Sequence, residues 1–401
     1  MAIVGAGPGG SAAAYYLSRR GLEVTLLDRA VFPREKTCGD GLTPRAVGVL
    51  QDIGVLDDLL RAGQPIGGVE IVAPDGYTLA ASLPVPRGLP TPVLVVPRVT
   101  LDDALRRRAV GSGASFEGGT LVTDVEPSAR GVVVRGRRAG RPFAMGARLC
   151  IIATGASTAL LARLGLIAKR PQMMLAARAY YQGTLPRSDR IQIRFDGVPL
   201  PGYGWVFPLS AASANVGVGY FPRGFTMRRR PPNAGVAFQT FVRGRGVTAL
   251  LNGAYQAGPA KGYPLRVDFP EAATSAPRVL LVGEAAGLVN PLTGEGIDYA
   301  LESAQLAAEC GAAALAQDRQ AGGNASEYDR AVRARFGRLF TFCRRVRDAS
   351  MSARLLNGLV RVAARRDDLK MRLIDIVLGN QEVSSDVSIP TILKKAYALL
   401  R

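Results

Sequence analysis

The sequence predicts an α/β fold: a Rossmann-like dinucleotide-binding domain in three sequence pieces, interrupted by an inserted antiparallel β-sheet domain and followed by a C-terminal helical region. Three observations predict it. A glycine-patterned strand–turn–helix opens the chain at Ala2–Ala14, and a second one spans Arg278–Ala300. Between them, residues 172–274 change to alternating, sheet-forming runs.

In order, Ala2-Ile-Val-Gly5-Ala-Gly7-Pro-Gly-Gly10 fits G-x-G-x-x-G after a strand and before a helix of small residues. The first glycine permits the tight turn, the second a close pyrophosphate, and the third lets helix and strand pack closely. The run Leu22–Leu27 then ends on Asp28, placed to accept from a ribose hydroxyl. Val31–Arg45 reads as a loop by its Pro and Gly content, yet it carries basic groups, a thiol and acids. Helical character follows through Ala46–Leu50 and Leu56–Leu60. Gly67–Leu83 alternates like exposed-sheet strands around Pro74-Asp-Gly76. Val93–Arg98 reads as a strand, with Thr100 capping the helix Leu101–Arg108 and Arg98 at the junction.

Ala114–Val125, Gly131–Arg135 and Arg148–Ala156 read as further strands, the last ending in Thr-Gly. Met173–Tyr181, Arg190–Phe195, Gly204–Pro208 and Ala214–Phe221 suggest an antiparallel sheet with one face covered, and Arg228–Asn233 a solvated loop. Arg278–Val282 is a buried parallel strand that leads through the glycine-paved turn Gly283–Asp298 into an Ala-rich helix from about Tyr299. From Ser326 the pattern is helical. These readings assign residues 1–65, 93–171 and 275–325 to the nucleotide-binding domain, 66–92 and 172–274 to the sheet domain, and 326–401 to the helical region.

Composition narrows the chemistry. At 401 residues with 48% hydrophobic and 21% charged content, the chain is globular. Its 51 basic and 32 acidic residues give a net charge of +19, which favours anionic partners, although a source bias toward arginine gives the same balance. No histidine occurs, which excludes His triads, His metal sites and a His general base. Cys38, Cys150, Cys310 and Cys343 are scattered, so neither a metal site nor a disulfide framework is expected, and a reducing, cytoplasmic setting fits. No apolar run is long enough to span a bilayer. Residue 1 opens directly into a strand, so no signal peptide is expected, and a few natural residues are expected to precede it.

The two strand–turn–helix stretches look like the two ends of an FAD site: the first holds the adenosine diphosphate, the second the ribityl chain and flavin. Four segments in order resemble the geranylgeranyl reductase family of FAD-dependent oxidoreductases, within the para-hydroxybenzoate hydroxylase type. They are Gly5-x-Gly7-x-x-Gly10; Pro33-Arg34-x-Lys36-x-Cys38-Gly39; Pro201-Gly-Tyr203-Gly-Trp205-Val-Phe207-Pro208; and Gly283-Glu284-Ala-Ala-Gly-x-x-Asn-Pro291-x-x-Gly294-Glu-Gly296. Menaquinone- and prenyl-chain-reducing members are closest around Cys38–Val47 and Pro201–Pro208. Glu284 departs from the wider group, which usually has Asp there; a carboxylate remains for a ribityl hydroxyl.

The resemblance implies non-covalent FAD and saturation of a carbon–carbon double bond in an isoprenoid lipid or prenylated quinone. It also implies that Arg29, Arg34, Lys36, Gly39, Arg98, Val122, Gly155, Pro291 and Ile297 join the glycines, Asp28 and Glu284 around the cofactor. An isolated alkene offers no polar handle, so the protein must hold it against the flavin and exclude water. Hydride addition to one carbon requires a proton for the other, and with no histidine the donors are Cys38, Tyr203 or a held water. Basic neighbours Arg34 and Lys36 are expected to lower the Cys38 thiol pKa. Tyr203, Trp205 and Phe207 alternate, so on a strand they share one side and form an aromatic wall of an apolar tunnel.

An aromatic monooxygenase or halogenase of the same fold is the alternative. Lys36 fits the halogenase lysine poorly, and position 203 is Tyr where a second Trp is expected. No helix-turn-helix, zinc or aromatic-basic signature supports nucleic-acid binding. The absence of a second nucleotide fingerprint leaves NAD(P)H or a ferredoxin-like partner as electron donor. Arg333–Arg347 places Phe336, Leu339, Phe340, Cys343 and Val346 at helical spacing beside arginines. That stripe either lies on an anionic leaflet or packs on the cofactor domain, the packing reading being the stronger. Peripheral attachment at the inner face of the membrane is expected from the overall charge and the substrate class.

Overall fold

In the computed structural model, residues 1–167, 171–183, 188–222, 232–316, 321–350 and 352–379 are described. Of the expected loop Arg228–Asn233, residues 228–231 lie outside them. Short β-branched and leucine-rich strands build a six-stranded sheet in the order Ser275–Ala276, Val279–Leu281, Cys150–Ile152, Ala2–Val4, Thr25–Leu27, Ser115–Glu117. All its pairs are parallel except that of the first two strands, so both faces must be covered by helices. Helices Pro8–Ser18 and Ile297–Ala316 pack closely there: a methyl group on Gly9 would lie 3.3 Å from the Ala300 carbonyl oxygen.

The inserted sheet has seven strands, ordered 255–266, 173–182, 213–220, 202–210, 190–194, 68–72 and 78–82. Both inserted stretches therefore contribute to one layer. Its pairs are antiparallel save one, Arg190–Arg194 with Gly68–Val72, which is parallel. Smaller three-stranded sheets join residues 120–127, 132–138 and 141–147, and residues 41–42, 93–95 and 64–66.

Several boundaries differ from the sequence reading, each for a local reason. The strand Val93–Val95 stops early, and the helix begins at Arg98 with Pro97, not Thr100, at its cap. The Pro97 carbonyl accepts from Thr100 and Leu101 amides at 2.9 and 3.0 Å, which starts the turn sooner. Arg98 thus falls one helical turn from Asp102. Helix Pro44–Ile53 is capped by Thr43 and ends where Gly54 adopts a left-handed φ of 79°, which separates it from Leu56–Ala62. Gly68–Val72 is buried throughout rather than half-exposed, because the C-terminal helices cover its outer face. The stretch read as one strand over 114–125 divides between two sheets, Gly131–Arg135 extends to Arg138, and Arg141–Ala147 forms a hairpin strand that carries no strong β pattern. Helices Ala234–Val242 and Arg245–Leu250 interrupt the sheet region, and the helix expected from Tyr299 begins at Ile297. The helical region expected from Ser326 begins at Ala321.

The Arg333–Arg347 stripe is core. Phe336 and Phe340 are fully buried, and their rings meet Tyr299 and Phe269 edge-on at 4.9–6.4 Å. Among its arginines, Arg333 pairs with Asp329, Arg335 with Glu302 and Arg344 with Glu271, while Arg338 and Arg345 are exposed. The aromatic side chains are therefore unavailable to a head-group boundary.

Candidate active site

One cavity of about 940 Å³ runs from the N-terminal glycines, past the Gly283–Ile297 turn, to an apolar end under the C-terminal helices. The first third is built for a dinucleotide. A methyl group on Gly10 would lie 1.8 Å from the Gly5 carbonyl oxygen, so the third glycine is required for strand–helix packing and does not line the cavity. Gly7 faces the cavity. A methyl group there would meet only Arg34 Nη2 at 3.5 Å and Arg98 Nη2 at 4.0 Å. Two guanidiniums and the start of helix Pro8–Ser18 therefore converge on one backbone position, a geometry suited to pyrophosphate.

Asp102, buried one turn along the helix that begins at Arg98, fixes those guanidiniums: Arg98 binds it twice at 2.7 and 2.8 Å, and Arg34 Nη1 lies 3.1 Å away. Burial disfavours the Arg98 charge, but Asp102 outweighs it and holds the group firmly protonated. Arg98 is thus a buried positioning charge rather than a surface ion pair. Asp28 accepts from the Ala6 and Ala30 amides at 2.7 and 2.8 Å and keeps lone pairs for a ribose. Arg29 and Val122 line the same end.

In the middle, Lys36, Gly39, Gly155, Gly283, Glu284, Gly294, Gly296 and Ile297 line the wall. Glu284 accepts from the Arg266 amide at 2.9 Å; burial raises its carboxyl pKa against the pull of Lys36. Lys36 sits with its ammonium 3.3 Å from the Tyr263 ring centroid, and burial lowers it to about 8. Pro291 does not line the cavity; it is buried behind the turn, where its carbonyl accepts from Arg347 at 3.4 Å. Its place in the sequence motif therefore reflects the turn's shape.

Cys38 lines the cavity, but its thiol differs from the expectation. Burial raises its pKa, and the cation that opposes this is Arg98, not Arg34 or Lys36. Arg34 is committed to Asp102 and Lys36 to Tyr263. A protonated thiol results. Tyr203 donates its phenol hydrogen to the Thr293 carbonyl in the turn, and burial raises its pKa as well. This ties the sheet to the turn and favours an anchoring wall residue over a proton donor.

Tyr203, Trp205 and Phe207 do share one side of strand Gly202–Ser210, with consecutive ring centroids 6.0 and 6.2 Å apart. The indole lies on bare backbone: a methyl group on Gly217 would sit 2.1 Å from it. Its Nε1 donates to Asn215 Oδ1 at 2.9 Å. Beyond the aromatic wall the cavity is lined by Ile193, Leu356, Leu359, Ile376 and Val377. Asp102, Asn215, Gly217 and these C-terminal side chains escaped sequence reading. The one available signal was Asn215-x-Gly217-x-Gly219, small residues facing one side of a strand.

Fold and site together define a flavoprotein oxidoreductase of the para-hydroxybenzoate hydroxylase type, with residues that fit FAD. The model of an FAD binding domain matches residues 1–185. The chain is 36% identical to the menaquinone reductase of Mycolicibacterium smegmatis over 77% of its own length and 75% of that protein's. It is 31% identical to the geranylgeranyl diphosphate reductase of Rhodobacter capsulatus, over 80% and 76% of the two chains. It shares the fold of a geranylgeranyl bacteriochlorophyll reductase-like protein from Thermoplasma acidophilum, with a TM-score of 0.82 and 21% identity across 99% and 98% of the chains. This protein belongs to the geranylgeranyl reductase family of FAD-dependent oxidoreductases.

Proposed function

We propose that this protein saturates carbon–carbon double bonds in the isoprenoid chain of a menaquinone-like prenylated quinone, with FAD held non-covalently. The observation that carries the reading is the continuity of the large cavity, which runs from the dinucleotide cradle over the turn into an apolar, aromatic-walled end. The named relatives act on molecules with different head groups, a quinone and a diphosphate, and have an isoprenoid chain in common. Bound and reduced, FAD supplies the hydride. The chain's own residues do the rest. Trp205, Phe207 and the C-terminal leucines hold an apolar chain and exclude water, and Arg34, Arg98 and Gly7 fix the cofactor's anionic part. Cys38 presents a proton. The one lysine that lines the cavity among the described residues, Lys36, rests on Tyr263, which supports the reductase over the halogenase reading. Electrons come from NAD(P)H or a ferredoxin-like carrier, which anaerobic reduction with each will distinguish.

Mass spectrometry of quinones from cells with and without the protein tests the proposal. Menaquinone two hydrogens heavier should depend on the protein; identical quinone profiles would overturn it. Cys38→Ala should keep FAD yet slow alkene reduction by about 100-fold, a usual size for one proton donor. An unchanged rate would reduce Cys38 to a packing role.

Delivery of such a substrate requires contact with a bilayer, and among the described residues no helix is long and apolar enough to cross one. The helices that close the apolar end, Ala353–Arg365 and Asp367–Val377, carry exposed Arg354, Arg361, Arg365 and Arg372. With the +19 charge, these support docking on an anionic leaflet, each basic group near the surface adding about 1 kcal/mol. Vesicles containing anionic lipid should therefore sediment the protein at low salt and release it as salt rises. No sedimentation at low salt would end the claim.

A further inference from the structure

A second cavity, of about 360 Å³, lies beside the first. Glu35, Lys36 and Arg98 line both. Glu35 and Gln182 on its rim are exposed, so water reaches it. Tyr180 lines only this second cavity and Asp40 only the first, and the Tyr180 hydroxyl donates to Asp40 Oδ2 at 2.8 Å. The pair bridges the two cavities.

Asp40 is fully buried, and its surroundings are specific. Asn215 Nδ2 donates to Asp40 Oδ2 at 2.7 Å and to the Cys38 carbonyl at 2.7 Å. The Asp40 amide donates to Cys38 Sγ at 3.5 Å. Oδ2 thus accepts two hydrogen bonds, whereas Oδ1 is buried with no partner among the described residues. That is where a carboxylic acid would carry its proton.

The geometry points to Tyr180 and Asp40 as the proton path by which the second cavity recharges the thiol of Cys38 after it has protonated the alkene. This rests on the reductase reading and on Cys38 as its donor. In the first step the S–H bond of Cys38 breaks and a C–H bond forms at the carbon that did not receive the hydride. The thiolate left beside Arg98 takes the Oδ1 proton of Asp40. The Asp40 carboxylate takes the Tyr180 phenol proton at Oδ2 as Tyr180 takes one from water in the second cavity, which leaves hydroxide to the solvent, and rotation of the acid about its Cβ–Cγ bond returns the proton to the unpartnered position. The net consumption is one proton from solvent per double bond, and the tunnel stays dry.

Asp40 suits a store of protons. Burial raises its pKa to about 6, against the hydrogen bonds of Asn215 and Tyr180 and the charges of Arg178 and Arg98. Arg178, beside it on strand Met173–Gln182, stacks 4.0 Å from the Tyr180 ring centroid. Cys38 and, beyond it, Glu295 complete the titratable surroundings. Recharging needs the acid form, so steady-state turnover should decline as pH rises through about 6 and lose that limb when Asp40 cannot titrate.

The test uses Asp40→Asn and Tyr180→Phe holoenzymes, reduced anaerobically and mixed with menaquinone in detergent. In both variants a single turnover should run at the wild-type rate, because Cys38 starts protonated. Steady-state kcat should fall about 100-fold in Asp40→Asn and about 10-fold in Tyr180→Phe, with KM unchanged. A carboxylic-acid infrared band that titrates in the wild type should be missing from Asp40→Asn. Wild-type steady-state rates in both variants, or equal slowing of single and multiple turnovers, would overturn the path. If Asp40→Asn does not fold, Tyr180→Phe, which removes one oxygen, decides by the same comparison. Failure of the reductase reading would look different: wild-type enzyme would leave the quinone mass unchanged.

Discussion

Gly10→Val should yield a protein that does not retain FAD, whereas Gly7→Ala should fold normally and lose only the cofactor. The two glycines stand three residues apart and act differently. At Gly10 a Cβ would overlap the Gly5 carbonyl oxygen at 1.8 Å and approach the Ala153 side chain at 3.2 Å, so helix Pro8–Ser18 must move off its strand. Overpacking costs roughly 1–3 kcal/mol for ordinary insertions. At about 3 kcal/mol the loss is near 100-fold in flavin affinity, because each 1.4 kcal/mol is about tenfold. At Gly7 the nearest atoms are guanidinium nitrogens at 3.5 and 4.0 Å, so a methyl fits but occupies the anion's place. Flavin absorbance after purification, with thermal unfolding of the stripped proteins, separates the two. Gly10→Val should lower both, and Gly7→Ala only the first. Wild-type flavin content in either variant would refute the cradle.

Leu359→Trp should leave flavin binding intact and remove activity on long prenyl chains. Leu359 lies on the Ala353–Arg365 helix, partly buried, and lines the apolar end of the cavity beyond Trp205 and Phe207. An indole there takes the space of about one five-carbon unit. At roughly 0.8 kcal/mol per buried methylene, that is about 4 kcal/mol, or nearly three orders of magnitude in kcat/KM. A quinone with a single prenyl unit should react as with wild type, because it ends before the obstruction. Equal loss on short and long substrates would place the chain elsewhere.

How much of this was legible follows from where the information lies. The Gly5–Gly10 fingerprint and Asp28 could be read because local backbone geometry and one carboxylate suffice, and the strand–helix context is contiguous. Tyr203, Trp205 and Phe207 could be read because strand alternation alone puts them on one side. The stripe from Phe336 to Val346 shows the limit of periodicity. It specifies an apolar face without saying what covers it, and Tyr299 and Phe269, far off in sequence, do so.

The charges divide the same way. Neighbours in sequence suggested that Arg34 and Lys36 would activate Cys38. In space Arg34 is held by Asp102 and Lys36 by Tyr263, and burial raises the thiol pKa. Asp40 was visible only as an acid in a loop. Its partners Tyr180 and Asn215 come from two strands 140 and 175 residues away. The sequence by itself determined the cofactor, the fold and the aromatic wall, since each rests on short-range geometry that glycine, alternation and chain direction impose. The tertiary structure alone decided which charges are neutralised, where the cavity ends and which side chains surround Asp40. Dielectric and pairing depend on everything within a few ångströms, and most of that comes from elsewhere in the chain.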